Sequence, residues 1–427
     1  MDYENALEYL HGTLKFGSKL GLERITKLLD LMGNPQKSLK FIHVAGTNGK
    51  GSTTAFINSI LIESGYRTGM FTSPYIERFT ERIRIDNQEI SADELAEIID
   101  YVKVRIDLMQ DSGDEHPTEF EIITAAAIEY FHRTKCDIVV LEVGLGGRYD
   151  STNVIDVPEA AVITTLSLDH TDRLGKTLGE IAYQKAGIIK ENGDVVLYPQ
   201  KPEAGKVINQ VCSQKNANIR KVDFSSLELK NCSIHEQVFD YKDYRSIKIK
   251  LLGEYQLQNA AVAVETCEVL AARGFHISSD DIRHGLEKAK WPGRLEIISR
   301  SPFVLIDGAH NPEGGQALNA ALEKYFPDKR KIFIVGFLRD KDYTGIMDIL
   351  SGKADTIITV TPENQRAVPS EELARILGKY SKNVVDGISI EKGLKLAIEN
   401  SDDESMICAF GSLYMIGLIR GFFIRDL

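Results

Sequence analysis

Phe41-Ile42-His43-Val44-Ala45-Gly46-Thr47-Asn48-Gly49-Lys50-Gly51-Ser52 is the stretch whose reading decides the fold. Phe41 to Ala45 is a short, mostly apolar run bounded by glycine, and it predicts a buried strand. Gly46 to Ser52 predicts a turn that no bulky side chain favours. Thr53 to Ile62 then has helical periodicity. Strand, glycine loop and helix together point free backbone N–H groups at an anion. Lys50 sets a cation where phosphates sit, and Ser52 or Thr53 offers a hydroxyl to magnesium. The spacing departs from the common Walker pattern. Only Thr47 and Asn48 separate Gly46 from Gly49, and Gly51 stands between Lys50 and Ser52. An ordinary βα turn also uses glycines. Gly-Lys at the strand-to-helix junction is nevertheless where the phosphate mechanism needs it, so the stretch reads as a phosphate loop for ATP.

Outward from this loop, 427 residues suggest two or three domains with sizeable cores. The 43% hydrophobic and 26% charged content is that of a soluble globular chain. A formal net charge of -11 speaks against non-specific binding to nucleic acid or acidic membranes. Five scattered cysteines without a C-x-x-C pair argue against disulfides and a zinc cluster, and for a reducing cytoplasm. Met1-Asp2-Tyr3-Glu4 lacks a signal-peptide apolar region. Met406 to Ile419 is too short to span a bilayer and reads as a strand, a turn and a helix start. No coiled coil is visible, and a monomer is expected.

Two amphipathic helices are expected over 3–32. Ser91 reads as the cap of a helix reaching about Met109, with Glu94 at the capping-box position. Helices are expected over 118–133, 178–188, 256–273 and 277–289, and buried strands over 136–143, 160–168 and 194–197. Residues 213–250 look like a small meander, with 222–229 and 246–252 as its best strands. Trp291-Pro292-Gly293-Arg294 breaks the pattern, after which strands and helices alternate to 410. The chain therefore reads as α/β. A mostly parallel phosphate-loop domain covers 1–296, and a smaller Rossmann-like domain covers 297–427.

Ligands bind at strand ends in such sheets. Four polar clusters fall there: Thr72-Ser73-Pro74; Glu142 before Gly144, Gly146 and Gly147; Asp169-His170; and Asp307-Gly308-Ala309-His310. A carboxylate ending a hydrophobic strand ahead of glycines fits a magnesium- or water-holding role, although such an acid can equally serve its own loop. His170 is a candidate metal ligand beside a phosphate loop. Lys185, on a mostly apolar helix, reads from the residues alone as a snorkelling surface lysine.

Taken together, these stretches resemble the folylpolyglutamate synthase and dihydrofolate synthase family within the Mur ligase superfamily. The resemblance extends through Thr118-Glu119-Phe120-Glu121, Lys185-Ala186-Gly187-Ile188, Gln256 with Asn259, and Trp291 to Glu296, and it spans nearly the whole chain. The variant phosphate loop is that family's own form. The resemblance implies an ATP-dependent amide ligase. It would phosphorylate a carboxylate to an acyl phosphate, admit L-glutamate, and release ADP and phosphate.

The same resemblance implies residue roles. Gly46, Thr47, Asn48, Gly49, Lys50, Gly51 and Ser52 would hold the ATP phosphates, with Asn259, Arg294 and Asp307 also contacting ATP. Ser73, Glu142, His170 and a carbamylated Lys185 would hold two Mg²⁺ ions. His310, with Asp307, would serve the reacting site near the incoming glutamate. Thr118, Phe120 and Asp150 would form the pterin pocket. Two positions depart from many family members: Tyr255 stands where they have His, and Gln184 where they have Glu. The expected substrates are reduced folates, dihydropteroate, or both. A cell-wall Mur ligase would need a uridine-nucleotide domain ahead of the phosphate loop, for which about forty residues leave no room. A nucleotide-gated binding protein would need no second-substrate site like that at Asp307 and His310.

Overall fold

Phe41–Ala45 (β1) runs through an eight-stranded sheet of the computed structural model, which describes residues 1–17 and 21–424. Its partners are Thr68–Phe71 (β2), Ile83–Ile85 (β3), Gln88–Glu89 (β4), Ile138–Glu142 (β5), Ala160–Ile163 (β6), Asp194–Leu197 (β7) and Asn218–Lys221 (β8). The order is β4-β3-β2-β5-β1-β6-β7-β8. The strands from β2 to β8 pair in parallel, and β3 and β4 add an antiparallel edge. After β1 the chain passes first to one side of it and later to the other. That reversal opens a crevice at the carboxyl ends, where ligands bind in such sheets. Register sets Val44 beside Glu142 and Ala45 beside Ile163, so the strand ends that precede the phosphate loop, Glu142 and Thr164 are level.

The helix Lys50–Glu63 is apolar nearly all round, with every residue from Ser52 to Leu61 buried. Such a helix must be covered on all sides. The sheet covers one side, and the helices Glu254–Ala272 and Ser279–Lys288 cover the other. The expected cap at Ser91 is present as a capping box with Glu94, and Thr118, the expected first residue of its helix, instead caps it in a second box with Glu121.

Two strand expectations fail for local reasons. The strand from Ala160 stops at Ile163 because Thr164 to Ser167 fold over the phosphate loop. The Thr164 hydroxyl donates to Asn48 O at 2.7 Å, and Thr47 N donates to Thr165 O at 2.8 Å. Residues 222–229 hold a turn rather than one strand, since the Asp223 side chain accepts from Ser225 N and starts a short 3-10 segment. The meander proper is Leu227–Cys232 (β9), Gln237–Tyr241 (β10) and Tyr244–Ile249 (β11), paired antiparallel.

Glu265 anchors this meander. Its carboxylate is 1% exposed and accepts from the Tyr241 hydroxyl at 2.6 Å, and from Arg220 and Lys242. Glu265→Gln is expected to destabilise the protein by about 2 kcal/mol, the scale of a buried hydrogen bond to a charged group. Urea unfolding measures it, and an unchanged midpoint would refute the anchoring role.

The second sheet holds Glu296–Arg300 (β12), Phe303–Ile306 (β13), Arg330–Val335 (β14), Thr356–Thr359 (β15), Val384–Asp386 (β16) and Ser405–Phe410 (β17). Its order is β12-β13-β17-β14-β15-β16, parallel except for β12. Apolar clusters cover both faces, as alternating strands and helices require. β12 begins at Glu296, so the chain has entered the second unit one residue ahead of the expected division. The carboxyl ends of β13 and β14 lead into the loops that carry Asp307, His310 and Lys341, and these loops meet the first sheet's phosphate loop. Among the described residues no helix is long and apolar enough to cross a membrane.

Candidate active site

Gly46 to Ser52 wraps the amino end of the helix Lys50–Glu63. Gly49 caps it at φ 84°, a left-handed conformation that glycine adopts without strain. A side chain at Gly46 would collide with the Thr164 hydroxyl, 1.7 Å from an ideal Cβ. The Ser52 hydroxyl accepts from Gln256 Nε2 at 3.1 Å, and Gln256 Oε1 accepts from Asn259 Nδ2 at 3.0 Å, which ties the loop to the helix behind it. The buried Thr53 hydroxyl has no hydrogen-bond partner among the described residues.

Two lysines converge on one carbonyl oxygen of this loop. Lys50 Nζ donates to Gly46 O at 3.1 Å and Thr47 O at 3.2 Å, and Lys185 Nζ donates to the same Gly46 O at 2.7 Å. Lys185 is 5% exposed, which corrects its reading as a surface lysine: the helix Leu178–Lys185 ends against the phosphate loop instead of in solvent. Burial, then the neighbouring Lys50 charge, lower its amine to about 7 against the pull of Asp169 and Asp150. Burial also lowers the Lys50 amine, with Glu142 and Asp169 opposing.

Glu142, at the end of β5, is 4% exposed. Among the described residues its carboxylate accepts one hydrogen bond, a 3.3 Å contact from Ser73 N. Desolvation raises its carboxyl to about 7, with Lys50 the largest opposing influence. A buried carboxylate this short of donors is suited to a cation. Asp169 differs. Burial alone would raise it, but His310, Lys341 and His170 hold it well below the usual carboxylate range. The His170 imidazole is lowered to about 4, mainly by desolvation, so it is neutral and has a lone pair for a metal at neutral pH.

The second unit completes the crevice. Asp307 accepts from Ala309 N at 2.8 Å and Leu295 N at 2.9 Å, locking the turn that presents Arg294. His310 donates from Nδ1 to Gly308 O at 2.8 Å and turns Nε2 toward Asp169, 3.6 Å away. Asn311 Nδ2 donates to Asn48 Oδ1 at 3.1 Å, while Glu313 accepts from Asn48 and, at 3.2 Å, from Thr165. One cavity of about 480 Å³ is lined by Gly46 to Ser52, Ser73, Glu142, His170, Lys185, Asn259, Arg294, Asp307 and His310. Tyr255 lines it too.

Three sequence-predicted residues stand apart from that lining. Thr118 is spent as a helix cap, its hydroxyl bonded to Glu121 at 2.9 Å. Asp150 is folded beneath the glycine loop, accepting from Leu145 N at 2.7 Å and from the Thr152 hydroxyl and N–H. Phe120 lies flush against Gly144, where an added Cβ would stand 2.4 Å from Cζ. Phe120 and Asp150 back the wall formed by Gly144 to Gly147.

Residues 44–267 match the Mur ligase middle domain, and residues 293–413 match the Mur ligase glutamate ligase domain. A Bacillus subtilis dihydrofolate synthase/folylpolyglutamate synthase is 38% identical, with 98% of each chain covered. The chain belongs to the folylpolyglutamate and dihydrofolate synthase family of Mur ligases. Structures agree. The Mycobacterium tuberculosis folylpolyglutamate synthase complexed with ADP and AMPPCP superposes with a TM-score of 0.90 at 31% identity, over all of both chains. An FPGS–AMPPCP–folate complex superposes at 0.85 and 32% identity, covering 99% of this chain and all of that one. Members of this family are ATP-dependent ligases, and this chain has their two-unit α/β architecture.

Sequence reasoning missed Lys341 and Glu313 in this family member. Each lies in a charged loop or first helical turn of the kind that usually faces water. Only their place after parallel strands of the second sheet, on the edge facing the crevice, would have singled them out.

Proposed function

We propose that the protein joins L-glutamate to reduced folates, extending tetrahydrofolate polyglutamates, and also to dihydropteroate. The observation carrying this reading is the single cavity in which the phosphate loop of the first unit faces Arg294, Asp307 and His310 of the second. In this reading one chain is the working unit, since both units of the same chain line the cavity. The cytoplasm is its place, in line with five free cysteines.

In the reaction, an oxygen of the folate carboxylate attacks the γ-phosphorus of ATP and ADP leaves. The glutamate nitrogen then attacks the acyl carbon and phosphate leaves. Lys50 and the helix amino end hold the nucleotide phosphates. Asn259 and Arg294 flank the nucleotide, and Asp307 fixes Arg294 through the Leu295 backbone. The donor-poor Glu142 carboxylate, which lines the cavity, fits divalent cations. Ser73, Glu142, His170 and a carbamylated Lys185 would hold them. Two Mg²⁺ ions there would offset the repulsion between the γ-phosphate and the folate carboxylate. His310 receives the incoming glutamate beside Asp169, and the second unit covers the crevice against water.

Product mass after incubation with ATP, Mg²⁺, L-glutamate and either tetrahydrofolate or dihydropteroate tests this. Added glutamate on both substrates is the expected result. Product from one alone narrows the substrate. ATP binding with neither product would move the assignment to a Mur-type ligase for another carboxylate.

A further inference from the structure

Lys341 lies in the loop between β14 and the helix Tyr343–Leu350, in a turn closed by Lys341 N to Leu338 O at 3.1 Å. Its ammonium does not stay in solvent. It crosses to the first unit, donates to Asp169 Oδ1 at 2.9 Å, and comes within 3.4 Å of His170 Nε2. Both side chains of the pair are nearly buried, Lys341 at 10% and Asp169 at 11% exposed. Removing two charges from water is costly unless the geometry offsets it, so a buried pair is weak evidence for stability and stronger evidence for a fixed arrangement.

Asp169 is also the point that organises its neighbour. Its Oδ1 accepts from His170 N at 2.9 Å, and His170 has a left-handed backbone, φ 49° and ψ 43°. For a non-glycine residue that conformation costs free energy and persists only where the surroundings hold it. On its carbonyl side His170 is held by Arg173 N and Leu174 N, both at 2.9 Å; on its amide side the hold runs from Asp169, which is gripped by two groups of the second unit, Lys341 on one oxygen and His310 facing the other.

We propose that Lys341 is a positioning residue of the ligase reaction: by gripping Asp169 it fixes the backbone and imidazole of His170 only when the second unit is seated. The glutamate-receiving unit thereby completes the phosphate side of the crevice, and acyl transfer is favoured only in the covered arrangement. The inference rests on the ligase reading for its chemistry, but the mechanical link from Lys341 to His170 is independent of it.

Two measurements on the full chain test it. In Lys341→Met, backbone amides across 166–174 are expected to exchange about tenfold faster, the scale of one charged hydrogen bond. The kcat for glutamate addition should fall by a similar factor, with KM for ATP within about twofold and Lys341→Arg recovering part of the loss. Asp169→Asn should have the same effects, and the double variant should be no worse than the more severe single one. Wild-type exchange and kcat in Lys341→Met overturn the proposal, as do losses that multiply in the double variant. Altered exchange in a protein that forms no glutamate product would keep the link and sink the ligase reading. Product formation with unaltered exchange and kcat in Lys341→Met would do the reverse.

Discussion

Lys50→Ala is expected to lower kcat/KM for ATP by about 10³-fold, the upper range for removing one electrostatic stabiliser from an active site. The Lys50 ammonium rests on the carbonyls of Gly46 and Thr47, inside the phosphate loop. A nucleotide offers that ammonium phosphate oxygens in place of neutral carbonyls, in a buried setting where charge interactions are strong. The loss extends to Glu142. Lys50 is the largest influence keeping that carboxyl from rising further, so without it Glu142 protonates more readily and gives up its attraction for cations. Lys50→Arg is not expected to restore activity. A planar guanidinium cannot replace a compact ammonium between two adjacent carbonyls and Lys185. Steady-state ADP release measures the effect, and wild-type turnover in Lys50→Ala would end the phosphate-loop assignment.

Much of this site was legible in the sequence because its residues end or follow apolar strands. Glu142 closes β5, Asp307 and His310 come directly after β13, and Asp169 and His170 lie in the loop that follows β6; parallel strands bring these carboxyl ends together whatever the intervening chain does. Other contacts have no local signature. Lys185 is four residues from Ile181 on an amphipathic helix, and only the packing of the helix end against Gly46 buries its amine. Asp150 is assigned to the pterin pocket only by the family resemblance; its oxygens accept from Leu145 N and the Thr152 hydroxyl, partners with no local signature. The buried His43, whose Nε2 faces the Thr152 hydroxyl at 2.8 Å, continues that internal chain. Contacts across the crevice are least legible of all. Asn48 with Glu313 and Asp169 with Lys341 join residues 265 and 172 positions apart.

Lys185→Ala is expected to reduce turnover by about 10²–10³-fold while leaving the fold intact, because the proposed carbamate and its place at the cation site would be lost with the amine. Two ammonium groups on the single Gly46 oxygen repel each other, and Lys185 is the one lowered to about 7. An ordinary lysine, near 10.4, is almost entirely protonated at neutral pH, whereas an amine near 7 is about half neutral there. The neutral amine is the form that adds carbon dioxide. The new C–N bond releases a proton and leaves a carbamate, turning a repelled cation into an anion beside Lys50. The sign of the pH dependence follows. Carbamate should accumulate as pH rises through about 7 and disappear as pH falls below it, when the ammonium returns. A carbamate carbon resonance in ¹³C-bicarbonate, present at pH 8, lost on acidification and absent from Lys185→Ala, is the expected observation. If Lys185→Ala keeps its rate, or if wild type shows no such resonance at pH 8, Lys185 is an unmodified lysine bonded to the phosphate loop. The cation site must then be built without it.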